Sequence, residues 1–573
     1  MSVEIRLIGA PTATRDGEPV ELRGNKGWLL AAVALLTAQP VPRTRLMQLL
    51  FADAADPAGA LRWNLSHLRK MLGVRLDGDP VRVDVGPDVR IDVLSLRDGD
   101  ADQVVGRSGL DGELLAGIDT SGSVELEMWL EDERRHVRHL VADVRREAAL
   151  ARLGRGDSAG AVELARRVHL AAPLDENAAA LLVRCLRADR RPAEANQVAG
   201  RTVERLRDEL GVEPTATLWS ALASPPGGER RATGRGVVFA QLETGRAAVS
   251  AGAVDAGVGA LRSATVAARA LGDGQLLAAA LVELGSALIH AVRGTDQDGL
   301  ALLHEALPLA HEHGASDVAT MAMREIGYVD MLRARYDRSL HWLGRAREAA
   351  IEDLEQEAWA TAYQGVVRAD IGDTDRARDD FDASSEAAAS CGDGRLGAFV
   401  RSFRGRLALT EHDPDAAIAE LQQACDVARR LSWTSFLGFP ESMLADALRL
   451  RGQLEDAREL GERALAVSEQ VADPCWESLA LRSLGLISVD EGHVRQGVEL
   501  LTEAPSRCRR LPDTYIWIEA FGLDALAAVV VRHGLPVADA VVDELNDTVT
   551  SHGMAPLRRH VEYYRRGEIP SAP

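Results

Sequence analysis

The sequence predicts a mainly α fold, with one small α+β segment at the N-terminus and an α-solenoid of helix pairs at the C-terminus. Three observations carry that prediction. Strand-period runs are confined to the first hundred of the 573 residues; Ala, Leu, Arg and Glu at helical spacing fill the chain from about Gly109 onward; and small residues recur at fixed offsets beyond residue 237. At the start, VEIRLIG (3–9) alternates like a strand. GNKGWLLAAVALLTA (24–38) and RTRLMQLLF (43–51) read as helices, and PAGALRWNLSHLRKML (57–72) is strongly helical. VRVDVGPDVRIDV (81–93) reads as two strands around the turn Gly86-Pro87-Asp88. Strands, three helices and a terminal hairpin describe a winged helix-turn-helix over 1–100. An all-α region is expected over 101–223. Residues 224–236, SPPGGERRATGRG, concentrate Pro, Gly and charge without a periodic face and form the predicted linker.

The region over 237–566 is repetitive. Gly245, Gly257 and Ala264 stand at offsets of 12 and then 7, as do Gly327, Ser339 and Ala346, and four further triads down to Gly485, Gly497 and Ala504. Two antiparallel helices about 8–10 Å apart need small side chains where they cross, once on the first helix and twice on the second. The offsets resemble those of tetratricopeptide repeats, but successive units between Gly327 and Gly485 advance by 38 to 40 residues and lack a closing proline. About eight pairs are expected over 237–552.

Composition bounds the function. Hydrophobic residues are 46% and charged residues 27%, and no run approaches the roughly 18 to 20 apolar residues that cross a bilayer. A soluble, cytoplasmic protein without membrane association is expected. Cys185, Cys391, Cys425, Cys475 and Cys508 are odd in number, far apart and never in a CxxC pair, which argues against a disulfide framework or a thiolate zinc site; reduced, mostly buried thiols are expected. His136 and His139, and His311 and His313, lack an HExxH pattern; there is no GxSxG; and neither lysine of the chain follows the glycine pattern of a phosphate-cradling loop. No enzymatic activity, cofactor or metal is expected.

The net charge of −21 opposes nucleic-acid binding, yet residues 1–100 carry 13 basic and 13 acidic residues, so the excess lies entirely beyond them. Any DNA contact belongs to this first segment, which also holds both lysines, Lys26 and Lys70. On the helix over 57–72, Leu61, Leu65, Leu68 and Leu72 form one narrow stripe that must face a core. Trp63, Ser66, His67 and Lys70 occupy the opposite face, flanked by Arg62 and Arg69. A helix fits the major groove, where His, Ser and Lys reach base edges and Arg binds phosphates. The competing reading is a solvated face on a surface helix. Arg43 and Arg45 open the preceding helix and would place guanidinium groups and free backbone N–H donors beside a phosphate. Arg82 and Arg90 fall on the expected wing strands among the acids Asp84 and Asp88.

Residues 25–97 resemble the OmpR-type winged helix of SARP-type bacterial antibiotic regulators, with Asn25-Lys26 before the first helix and Leu65-Ser66-His67-Leu68-Arg69-Lys70 near the end of the recognition helix. Residues 109–222 resemble the bacterial transcriptional activator domain through five motifs in order. These are Gly112-Glu113-Leu114-Leu115; Trp129-Leu130 with Glu133-Arg134; Pro173-Leu174-Asp175-Glu176; Ala193-Glu194-Ala195; and Glu209-Leu210-Gly211-Val212-Glu213-Pro214. Two positions depart from the family: Trp28 stands where Arg is usual, and Phe51 where Trp is usual. The resemblance implies binding to double-stranded promoter DNA at direct repeats, side-by-side dimerisation on DNA and contact with RNA polymerase.

In the repeats, Trp359, Trp433, Trp476 and Trp517 fall early in the first helix of their pairs and are candidates for a groove that takes a protein or small-molecule effector. Packing between neighbouring repeats is the competing reading. A scaffold, in which the winged helix makes protein contacts or anchors weakly to DNA, is the alternative for the whole chain.

Overall fold

The computed structural model describes residues 2–20, 22, 24–37, 40–86, 88–106, 109–120, 123–222, 234–250, 253–350, 353–511 and 513–570. Its contacts divide the chain into two compact units, 1–148 and 149–573. Pro87 of the expected wing turn and 224–233 of the expected linker lie outside the described residues; Arg235 and Gly236 are helical.

The first unit runs β1 (Val3–Arg6), β2 (Thr12–Arg15), β3 (Glu18–Val20), α1 (Asn25–Leu36), α2 (Arg43–Phe51), α3 (Pro57–Leu72), β4 (Arg75–Asp77), β5 (Arg82–Asp84), β6 (Val89–Ile91), α4 (Asp92–Asp98), α5 (Ala101–Val105) and α6 (Val124–Gly154), the last crossing the division. The alternation of β1 buries Val3 and Ile5 and exposes Glu4 and Arg6, and the strand sits inside a four-stranded sheet ordered β3-β2-β1-β6. Asp92 accepts from the Leu7 and Ile8 backbone N–H groups at 2.9 Å, and burial pushes its carboxyl up from the usual carboxylate range.

The strands after α3 differ from expectation. The hairpin is β4 with β5, turning at Gly78-Asp79-Pro80, while β6 pairs parallel to β1 with Val3 opposite Val89 and Ile5 opposite Ile91. Burial decides this: Ile91 closes the core beside Ile5, and Leu76 anchors β4. Val41 joins the hairpin through backbone bonds to Val81 of 2.8 and 3.3 Å.

The second unit begins with α7 (Ser158–Ala171), α8 (Glu176–Ala188), α9 (Pro192–Arg205) and α10 (Ala216–Leu222). Eight helix pairs then fill the described residues from 235 to 551. They are α11 (Arg235–Ser250) with α12 (Val254–Leu271), α13 (Gly274–His290) with α14 (Asp296–Glu312), α15 (Ser316–Leu332) with α16 (Tyr336–Ala349), and α17 (Leu354–Ile371) with α18 (Thr374–Cys391). The rest are α19 (Gly394–Thr410) with α20 (Pro414–Arg430), α21 (Thr434–Leu450) with α22 (Leu454–Gln470), α23 (Pro474–Asp490) with α24 (Val494–Cys508), and α25 (Ile516–Arg532) with α26 (Ala538–Ser551). A closing helix, α27 (Ala555–Tyr564), follows.

The small residues mark the crossings. A Cβ on Gly497 would meet the Gly485 carbonyl at 2.7 Å and Val489 Cγ2 at 2.4 Å. Aspartates cap the helix starts: Asp273, Asp353 and Asp413 each accept from the backbone N–H three residues on.

Several bonds tie distant parts of this unit together. Thr217 Oγ1 donates to the Gly294 carbonyl at 3.1 Å, Arg184 pairs with Asp298, and a Cβ on Gly154 would collide with the His304 backbone at 2.5 Å. Arg293 pairs with Asp473 at 2.8 Å, and Asp513 accepts from Asp296 N–H at 2.9 Å and pairs with Arg333. Cys475 and Cys508 are disulfide-bonded, which corrects the expectation of five reduced thiols. One helix pair separates them, so the antiparallel return brings the start of α23 to the end of α24, a proximity no CxxC spacing encodes. Cys391 is exposed, and burial pushes the Cys185 and Cys425 thiols up to about 12. Among the described residues no helix is long and apolar enough to cross a membrane, and no group of three or more His, Cys, Asp or Glu is placed to hold a metal.

Candidate functional site

The helix α3 is built to present one face. Asp56 caps its start by accepting from Gly59 N–H at 2.9 Å, Pro57 occupies the first turn, and Gly73 ends it at a φ of 67°. Leu61, Leu65, Leu68 and Leu72 are each no more than 2% exposed, so the stripe is core. Opposite it, Trp63 is 54% exposed, and Arg62, Ser66 and Lys70 are exposed. His67 is half-buried: its ring stacks on Trp63 at 5.0 Å, with Nε2 shielded and without a hydrogen-bond partner. The Trp63–His67 stack stands beside Ser66 and Lys70 on this face.

The arginines divide. Arg62 and Lys70 make no ion pair among the described residues. Arg69 instead donates through Nε to the Leu76 carbonyl at 2.9 Å and pairs with Asp77 at 2.9 Å, tying α3 to β4. The Arg43 backbone N–H donates to Asp79 at 2.9 Å and its Nε to the Gly78 carbonyl at 2.9 Å. One of the expected free donors at the start of α2, the Arg43 N–H, is therefore engaged by the hairpin turn, because the protein supplies its own anion, Asp79. Arg45 pairs with Glu125. Lys26 lies over the Phe51 ring, 5.6 Å from its centre. Arg82 is exposed on β5 of the hairpin, but Arg90 lies on β6 and so in the N-terminal sheet rather than on a wing, which corrects its placement. Sequence reading missed Arg75, exposed on β4 across from Asp84; the signal was the turn-forming run Asp77-Gly78-Asp79-Pro80 between two alternating stretches. Trp28 is buried in α1 and Phe51 in α2, so both departures from the family are core positions.

The activator motifs act as joints. Gly112 approaches Gly9 so closely that a Cβ would meet its Cα at 2.7 Å, while Leu115 N–H donates to the Leu7 carbonyl at 2.8 Å. Arg134 clasps this segment by donating to the Leu114 carbonyl at 3.1 Å and pairing with Glu113 at 3.3 Å. Asp175 caps α8, and Glu176 accepts from Thr215 N–H at 3.0 Å and Thr215 Oγ1 at 2.6 Å at the start of α10.

The four repeat tryptophans do not share one groove. Trp359 donates to Asp393 at 2.8 Å and packs on Tyr363 and Phe399; Trp476 donates to the Ser435 carbonyl at 3.1 Å and packs on Phe439 and Tyr515; Trp433 stacks on Phe436 at 4.2 Å. These three belong to an aromatic spine between repeats. Trp517 lines a cavity.

Residues 106–223 match the bacterial transcriptional activator domain, BTAD. No curated protein sequence matches the chain. Among solved structures, Mycobacterium tuberculosis EmbR in complex with a low-affinity phosphopeptide is 18% identical, at a TM-score of 0.30, over 38% of this chain and 64% of that one. A Rap protein complexed with competence and sporulation factor is 12% identical, at a TM-score of 0.41, over 57% of this chain and 98% of that one. The signal transduction ATPase with numerous domains from Pyrococcus horikoshii, which has a tetratricopeptide repeat sensor, is 13% identical, at a TM-score of 0.35, over 92% and 66%. The chain thus carries, over 106–223, a segment that matches the bacterial transcriptional activator domain, followed by helix pairs whose small residues are spaced as its motifs led us to expect.

Proposed function

We propose that the chain is a sequence-specific DNA-binding transcriptional regulator acting in the cytoplasm by binding rather than catalysis. In this reading 1–100 bind promoter DNA, 101–223 serve activation and RNA polymerase contact, and 237–566 receive a signal, with 224–236 as linker. The observation that carries it is the presented face of α3: four buried leucines beneath Trp63, Ser66, His67 and Lys70, beside a hairpin, in a chain whose next segment matches a transcriptional activator domain. The face is the width of a helix, polar and cationic, and so suits the major groove, with Ser66 and His67 toward base edges and Arg62 and Lys70 toward phosphates.

The scaffold reading keeps one observation in its favour, the balance of 13 basic and 13 acidic residues over 1–100. Retention of the full chain on immobilised random DNA at low salt separates the two. A DNA-binding regulator is retained and elutes as salt displaces it from phosphates; a scaffold flows through.

A further inference from the structure

The first helices of five successive pairs carry a ladder of alternating charge: Asp370 on α17, Arg406 on α19, Asp446 on α21, Arg482 on α23 and Asp524 on α25, all buried. Arg406 donates to Asp370 at 2.6 Å, and Arg482 pairs with Asp446; His560 of α27 meets Asp524 at 3.0 Å. Each arginine also lies on an aromatic face, Arg406 at 4.2 Å from the Trp517 ring centre and Arg482 at 3.5 Å from that of Phe521. Against this ladder, closed on one side by α27, lies a cavity of about 580 Å³. That volume is the size of a small-molecule site.

The ladder's cations and anions are spent on one another, and what remains inside is specific. Asp446 Oδ1 and Arg449 Nε are shielded from solvent and lack hydrogen-bond partners, one an acceptor and one a donor, and both residues line the cavity. A buried polar atom without a partner forfeits its hydration without replacement, so each is better matched by a group that enters. Trp517, Phe521 and Tyr563 line it, with Trp517 stacked on Phe521 at 4.6 Å. At the rim Arg559 is exposed and makes no ion pair among the described residues. Aromatic walls, an acceptor that asks for a donor, and donors together with a free cation that ask for an anion define one ligand chemistry.

We propose that this cavity binds an aromatic acid of small-molecule size that also carries an N–H or O–H donor: the rings pack beside the Trp517–Phe521 stack and Tyr563, the donor meets Asp446 Oδ1, and the anion faces Arg559 and the Nε that Arg449, paired with Asp490 at 2.8 Å, leaves unmatched. The proposal deepens the signal-input reading of the repeats by naming a ligand class. Because its test reads binding and not transcription, its failure leaves the DNA-binding reading untouched.

Anilinonaphthalenesulfonate is the probe, since it joins aromatic rings, one N–H and one anionic group. Titrated into the full-length folded chain, it is expected to bind saturably at one site. Arg559→Glu, at an exposed position, is expected to weaken binding about threefold to tenfold. Thr410→Trp, which fills the exposed rim, is expected to abolish it, and both variants should melt at the wild-type temperature. Proflavine, an aromatic cation, is expected not to bind there. Non-saturating signal, equal affinity in wild type and both variants, or tighter binding of proflavine than of the anion would each overturn the proposal.

Discussion

Lys70 and Arg69 are adjacent on α3, yet their environments assign them different work. Lys70 is exposed without an ion pair among the described residues, whereas Arg69 holds Leu76 and Asp77. Lys70→Ala is therefore expected to lower DNA affinity and to reduce the slope of log affinity against log salt by about one unit, without moving the melting temperature. Arg69→Ala is expected to lower the melting temperature by loosening the hairpin; thermal unfolding of the two variants beside their salt titrations checks the division. A second side chain reports on stability against pH. His304 is buried against Trp342, and burial pushes its pKa down to about 4 from an unfolded value near 6.5. Between those values the unfolded chain takes up a proton that the folded chain refuses, so this contribution is present above pH 6.5 and is lost as pH falls toward 4, on the order of 3 kcal/mol in total. Asp296, pushed up to about 6 by burial, acts in the opposite sense over nearly the same range, its folded form favouring the proton. The comparison to make is wild type against His304→Leu: wild type should lose stability relative to the variant as pH is lowered from 7 to 4.5, and parallel melting curves would contradict the assignment.

Helix crossings set a second group of expectations. Gly497→Val forces side-chain atoms against the Gly485 carbonyl and Val489, so a loss of about 1–3 kcal/mol is expected. Gly200, in α9, has nothing within 4 Å of its added Cβ, so Gly200→Ala is expected to be neutral or stabilising by up to about 1 kcal/mol. Denaturant unfolding of the two variants reads both signs. The same crossings explain what the sequence revealed. Six pairs were legible as small residues at offsets of 12 and 7, because a turn of two or three residues fixes the spacing wherever backbones touch. The pair α13–α14 escaped that pattern although Gly285, Gly299 and Ala306 mark it: its connection, 291–295, is two residues longer, and the first offset becomes 14. The leucine stripe of α3 was equally plain, since helical period alone decides it. The hairpin was not, because a three-residue strand such as β4 carries too little alternation to stand out, and β6 is placed by its pairing with β1 some 85 residues away. The charge ladder from Asp370 to Asp524 also went unread, as buried arginines look like surface ones until the repeats are stacked.

The two units place different demands on the chain. Residues 149–222 share bonds with the repeats through Thr217–Gly294 and Arg184–Asp298, so truncation after residue 222 would strip partners from the activator segment. Full-length protein is the proper material for DNA-binding experiments. Acidic residues outnumber basic ones beyond residue 100, which repels phosphate, so any retained DNA binding must come from the local chemistry of α3 and its hairpin. Electrostatic attraction without base contacts would give binding indifferent to sequence. Selection of bound fragments from a random double-stranded DNA pool by the full-length chain, repeated with a Ser66→Ala, His67→Ala double variant, separates these outcomes. Enrichment of one recurring motif by the wild type, relaxed or shifted in the double variant, is the expected result. No enrichment, or the same motif at the same affinity from both proteins, would contradict the assignment of α3 as the element that reads DNA.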